Sequence, residues 1–248
     1  MTLDQRKSPD ALHPPVPPHV VAISGMIFST LFIASLVCVR IAVPADPAEP
    51  GLWLTDPTFR SWVRFALKLI PFTGIAFLWF MAVLRNRVGG LEDRFFATVF
   101  FGSGLLFVAM LFVAAAVSHG LLDTFVIKGN LPAQSDAYAV GRAMAYALMN
   151  TFAVKMAAVF MIVTSSIGLR TAVFPRWMAF VGYALALVML LTITDFAWIA
   201  LVFPAWVFLL STYILVSDLG EGRQLATSIE SKGPHEGTPE SDSANEES

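Results

Sequence analysis

Hydrophobic residues in this chain fall into long blocks separated by short polar punctuation. A helix needs about 20 apolar residues to cross the hydrocarbon of a bilayer, and blocks of that size recur. The first covers 20–43 and is stopped by Pro44, Pro47 and Pro50. The second covers about 65–84, with Pro71 near its start, the third 95–117 or a little more, and the fourth 143–169. The last block, 177–216, is about twice as long as one crossing requires. Thr192, Thr194 and Asp195 interrupt it as a tight turn with Asp195 capping the next helix, which gives two spans, 177–193 and 195–216. One long helix broken at Pro204 is the alternative.

The pattern predicts an all-α fold, a polytopic transmembrane helix bundle of about six spans over residues 20–216. Residues 1–19 carry Pro9, Pro14, Pro15, Pro17 and Pro18 and are expected to form a disordered or polyproline-II arm. Residues 217–248 are rich in Gly, Ser and Glu, and their acids outnumber Arg223 and Lys232. With so little apolar surface to bury, they are expected to be a disordered acidic tail.

The basic residues of the short loops set an expected orientation. With the N-terminus inside, the inner side holds Arg6, Lys7, Arg85, Arg87, Arg94, Arg170, Arg176, Arg223 and Lys232. The outer side holds Arg60, Arg64, Lys128 and Arg142. Both termini are therefore expected in the cytoplasm, a parity that agrees with an even number of spans, and the membrane is expected to be a bacterial inner membrane. Residues 20–45 have some features of a signal peptide, including Val43-Pro44-Ala45 as a cleavage site. Their apolar run exceeds the ~7–15 residues of a signal core and ends on Arg40, so an uncleaved first span is expected.

Composition agrees with this reading. Apolar residues make up 56% of the 248 and charged residues 14%, against roughly 25% charged in soluble domains. The net charge of −2 offers no basic field for a nucleic acid. Cys38 is the only cysteine and lies within an apolar run, which leaves no internal disulfide and points to an inert thiol.

Charged residues within or beside the spans are the candidate chemistry. Asp56-Pro57 reads as a helix start, a capping acid followed by proline at the first helical position. Arg60, Arg64 and Lys68 follow at intervals of four, one basic stripe beside Phe59, Trp62 and Phe65. Such a stripe suits an interfacial anchor, or a site for an anionic lipid or solute. Lys155 lies well inside the fourth span, where a lysine costs roughly 2.5–3.5 kcal/mol to insert and normally meets a partner or water. Its candidate counter-ions are Asp195 and Asp123. His119 and Asp123 are four apart and share a helix face, and Arg40 ends the first span. These positions allow an outward-opening polar pocket with Lys155 at its floor. One structural ion pair would explain the same lysine.

Other chemistry finds less support. His119 is the only histidine outside the tails, which excludes bis-histidine haem and histidine-rich metal sites, and no cofactor is expected. Ser118 and His119 point about 100° apart on a helix, so a catalytic arrangement of Ser118, His119 and Asp123 is not expected. Small residues four apart, among them Ala153 with Ala157 and Gly182 with Ala186, read as helix-packing positions. Pro71 and Pro204 are expected to kink their helices.

Ile70-Pro-Phe-Thr-Gly-Ile-Ala-Phe-Leu-Trp-Phe and Leu91-Glu-Asp-Arg-Phe-Phe-Ala-Thr-Val-Phe-Phe-Gly-Ser-Gly-Leu-Leu-Phe resemble segments of uncharacterised bacterial multi-span membrane proteins. The resemblance covers about a quarter of the chain. It implies a helical inner-membrane protein and carries no activity or site residues. The expected function is non-enzymatic: binding or moving a small solute, ion or lipid in the pocket. The expected partners are the bilayer, that ligand and possible further membrane subunits or copies of the chain. The rival expectation is a structural or accessory subunit of a membrane complex.

Overall fold

The computed structural model describes residues 18–44, 51–88, 94–128, 136–171, 175–192 and 198–231, all helix or short connection, with no strand among them. In chain order the helices are α1 (Pro18–Ala42), α2 (Pro57–Val88), α3 (Arg94–Lys128), α4 (Asp136–Tyr146), α5 (Val154–Thr171), α6 (Arg176–Leu191) and α7 (Val202–Ser231). A π-helical segment, Ala147–Ala153, joins α4 to α5 without a break, and short 3₁₀ turns lie at Leu52–Leu54 and Ile199–Leu201.

Five helical stretches are long and apolar enough to cross a membrane: Val20–Ala42, Pro57–Asn86, Arg94–Val126, Asp136–Thr171 and Ile199–Ser217. α6 has 16 residues, about 24 Å at 1.5 Å per residue, and is shorter than the ~30 Å hydrocarbon layer. The outer surface shows the matching solvent preference. Phe72, Trp79, Phe95, Trp177 and Phe180 are each at least 60% exposed. Water would penalise so much open aromatic surface, whereas lipid tails accept it. The protein is a membrane-embedded helical bundle.

Phenylalanines fill the centre of that bundle. Phe77 of α2 lies 4.7 Å from Phe28 of α1, 5.2 Å from Phe107 of α3, 5.2 Å from Phe160 of α5 and 5.6 Å from Phe203 of α7, ring centroid to centroid. All four pairs are tilted or edge-on, the arrangement the ring quadrupole favours. Close helix crossings surround the cluster. Gly25 of α1 lies directly under Ser211 and Phe80, and Gly182 of α6 under Ser165 and Trp206, so a side chain at either glycine would collide. Gly102, in a segment rich in small residues, has open space where a Cβ would stand.

Local chemistry explains where several helices begin and end. α2 starts at Pro57 because the Asp56 carboxylate accepts the Thr58 N–H at 2.7 Å and proline needs no donor partner in a first turn. The basic stripe and the second span are thus one helix, which begins earlier than 65. α3 runs on to Lys128, beyond 117, and the fourth span begins at Asp136 rather than 143. Pro204 was expected to kink or break a helix. It lies instead in the first turn of α7, where a missing N–H costs nothing, and the connection falls before it.

The tail that was expected to be disordered from 217 is helical as far as Ser231. A helix already nucleated in the membrane extends cheaply, and Glu221, Arg223, Gln224, Leu225 and Ala226 are good helix formers. The proline-rich residues before Pro18, the residues after Ser231 and the turn expected at Asp195 lie outside the described residues.

Candidate functional site

α1 and α3 finish at the end of the bundle where α2 and α4 begin, and a cavity of about 190 Å³ opens between these four helices. Part of its lining is polar: Arg40 and Ser35 from α1, Trp53 from the α1–α2 connection, Ser118 from α3, and Tyr138, Arg142, Tyr146 and Asn150 from α4 and the π segment. The rest is apolar, including Phe32, Leu36, Leu67, Ile70 and Leu111. Phe32 also belongs to the central ring cluster, 5.6 Å from Phe28 and 5.8 Å from Phe107. The cavity therefore ends against the packed phenylalanines.

Hydrogen bonds hold the polar wall in place. Gly51 has φ = 85°, a conformation other residues adopt only under strain, and the Tyr138 ring lies against its α-carbon. The turn that follows brings Trp53 Nε1 to donate to the Tyr138 hydroxyl at 3.0 Å. Arg142 Nη1 donates to the same hydroxyl at 3.2 Å, and its Nη2 donates to the Pro44 carbonyl at 3.3 Å. The two ends of the α1–α2 connection are thus tied to α4. Ser35 Oγ donates to the Ala66 carbonyl at 3.1 Å and ties α1 to α2 along the same wall. Arg142 and Tyr146 lie close enough to act electrostatically on the Arg40 guanidinium.

The π segment contributes Met149 and Asn150 to the lining. Asn150 Nδ2 donates to the Tyr146 carbonyl at 3.3 Å, and its Oδ1 is buried without a hydrogen-bond partner among the described residues. Segments of π-helix are rare and recur at functional sites.

Lys155 does other work. It does not line this cavity. Its Nζ donates to the carbonyls of Met189 at 2.8 Å, Leu190 at 2.6 Å and Thr192 at 2.9 Å. These are carbonyls of the end of α6, which no further turn can satisfy. An ammonium there supplies the missing donors and opposes the negative end of the helix dipole. The intramembrane charge thus has backbone oxygens as partners, and of its two candidate counter-ions Asp195 lies outside the described residues.

The remaining candidates are scattered. Arg40 lines the cavity. Arg64 and Lys68 are exposed on α2, while their neighbours Val63 and Leu67 line the cavity. His119 Nδ1 and Asp123 Oδ2 are 3.0 Å apart, with side chains 52% and 48% exposed, and Ser118 and Leu121 face the cavity instead. Sequence reasoning missed Arg142, which was counted as a loop residue, together with Trp53, Tyr138, Tyr146 and Asn150. The signal was present: Tyr138, Arg142, Tyr146 and Asn150 recur every four residues, a polar stripe on a largely apolar helix. Among the described residues no three His, Cys, Asp or Glu side chains gather as metal ligands would.

The chain matches no protein-family model, no curated protein and no solved structure.

Proposed function

We propose that this chain is a six-span protein of a bacterial cytoplasmic membrane, with both termini inside, that binds or moves a small solute or lipid in the cavity between α1, α2, α3 and α4. The carrying observation is the cavity itself, with a polar stripe of α4, a few polar groups from α1, α3 and the α1–α2 connection, and an otherwise apolar lining. Such apolar clefts with a few convergent polar groups are the usual form of small-molecule sites. The ring cluster beneath it supports binding or gated passage over an open channel. The excess of Lys and Arg at the opposite end of the bundle supports an outward-facing cavity mouth. α6 counts as the sixth span because it packs antiparallel to α5, with Lys155 beside Met189 and Ser166 beside Tyr183.

The test is a thermal-unfolding screen of the protein in mild detergent against small cations, neutral molecules, anions and lipids. A ligand should raise Tm in the natural protein and fail to do so when Ala115→Leu fills the lining. If nothing in any class raises Tm, the binding reading falls. An accessory-subunit role is favoured by Gly102 and Gly120 of α3, where an added Cβ would meet nothing. A stoichiometric partner retained in mild detergent would support that role.

A further inference from the structure

We propose that the lipid-facing stripe of α2 binds an anionic phospholipid, with the headgroup phosphate on Arg60, Arg64 and Lys68 and the acyl chains along Phe72, Ile75 and Trp79. The site lies on the outside of the bundle, so the proposal stands apart from the cavity reading above.

Depth places the stripe at a membrane surface. Arg64 and Arg85 are twenty-one residues apart on α2, about 32 Å along a helix and close to the ~30 Å hydrocarbon layer. Both are exposed, and they mark the two boundaries of that layer on this helix. Arg60 then stands one turn outside the boundary and Lys68 one turn inside it, a ladder of about 12 Å through the headgroup region. Helical side chains lean toward the N-terminus, which on α2 is the membrane surface, so a lysine at 68 reaches toward the headgroups.

The membrane itself determines what covers this face. Phe72, Ile75 and Trp79 follow Lys68 at helical spacings and are exposed, so lipid tails cover them. The headgroup above those tails lies beside Lys68 and Arg64. Phe59, Trp62 and Phe65 are exposed around the ladder, the aromatic setting of a membrane interface.

Charge then selects among headgroups. Among the described residues no carboxylate pairs with Arg60, Arg64 or Lys68. Of the acids at this end, Asp56 accepts the Thr58 N–H and Asp123 is held by His119. The Arg60 guanidinium lies 6.0 Å from the Phe125 ring centroid, which keeps it at the seam of α2 and α3. A guanidinium can meet two phosphate oxygens at once. Three neighbouring cations repel the ammonium of a zwitterionic headgroup and attract a headgroup of net negative charge. A free phosphate would meet the same cations but forfeit the apolar contact below them.

The full chain is reconstituted in nanodiscs of equal phosphatidylglycerol and phosphatidylcholine and transferred to a nonionic detergent. Mass spectrometry then measures the lipids that stay bound. The natural protein should retain phosphatidylglycerol about tenfold over phosphatidylcholine. Arg64→Gln with Lys68→Gln should bring retention near parity, with an unchanged Tm showing that the fold is intact. Arg64→Lys with Lys68→Arg keeps the charge and should keep most of the preference. Arg85→Gln with Arg176→Gln removes equal charge from the opposite end of the bundle and should leave the preference in place. Equal retention of the two lipids by the natural protein would overturn the proposal. So would a preference that survives Arg64→Gln with Lys68→Gln, or one lost equally in the opposite-end variant. Displacement of the bound phosphatidylglycerol by inorganic phosphate would reassign the stripe to a soluble anion and overturn it as well.

Discussion

The Lys155 ammonium lies 2.6 Å from the Leu190 carbonyl, so a charge in the middle of one membrane helix terminates another. The Met189 and Thr192 carbonyls complete the contact. Without that ammonium the end of α6 would hold carbonyls in an apolar setting, at roughly 1–3 kcal/mol for each group left unsatisfied. Lys155→Met should therefore lower Tm in detergent by about 5 °C or more and increase hydrogen exchange at the end of α6. A variant as stable as the natural protein would show that water or another group can cap the helix equally well.

The glycines offer a paired comparison. A Cβ at Gly25 collides with Ser211 and the Phe80 ring, whereas one at Gly102 meets nothing. Gly25→Val should destabilise by about 2 kcal/mol or more, as overpacking typically does. Gly102→Ala should be neutral or slightly stabilising, because alanine is the better helix former. Thermal unfolding of the two variants side by side decides the matter, and similar losses in both would contradict the crossing described at Gly25.

Removing the Tyr138 hydroxyl deprives both Trp53 and Arg142 of an acceptor. Tyr138→Phe should cost about 1–2 kcal/mol and free the 51–54 turn from α4. Limited proteolysis of proteoliposomes reads that directly: cleavage near the turn should accelerate in the variant. Unchanged cleavage and stability would mean that ring packing alone holds the turn.

The two intrahelical prolines should behave differently. Pro204→Ala restores a donor in a first turn where none is required, so Tm should stay within about 2 °C. Pro71 is fourteen residues into α2, and Pro71→Ala supplies an N–H to the Leu67 carbonyl beside the cavity. That change should straighten α2, stabilise the protein and alter ligand affinity. Equal responses at the two positions would argue against the assigned start of α7.

The long apolar helices were legible because a run of twenty apolar residues has few other uses, and a lysine inside one stands out from its neighbours. The partners of Lys155 were not legible, since every residue carries a carbonyl and only the end of a helix makes it chemically needy. Reading α4 as a loop hid Arg142, although its four-residue spacing from Tyr138, Tyr146 and Asn150 was visible. Arg64, Lys68, His119 and Asp123 lay one or two residues from cavity-facing positions, and one residue on a helix is about 100° of direction. The phenylalanine cluster left no trace because its members come from five helices that sequence order does not bring together.

The π segment between Tyr146 and Val154 has one further consequence. Each wide turn spends an extra residue on the same advance, which rotates everything beyond it by about 100° relative to a regular helix. On one side of that offset the helix shows Arg142 and Tyr146 to the cavity, and on the other it shows Lys155 to α6. A regular helix of the same sequence could aim only one of these groups correctly. The irregular turn is what lets a single rod answer to two neighbours, and a one-residue deletion within 147–153 would set them against each other.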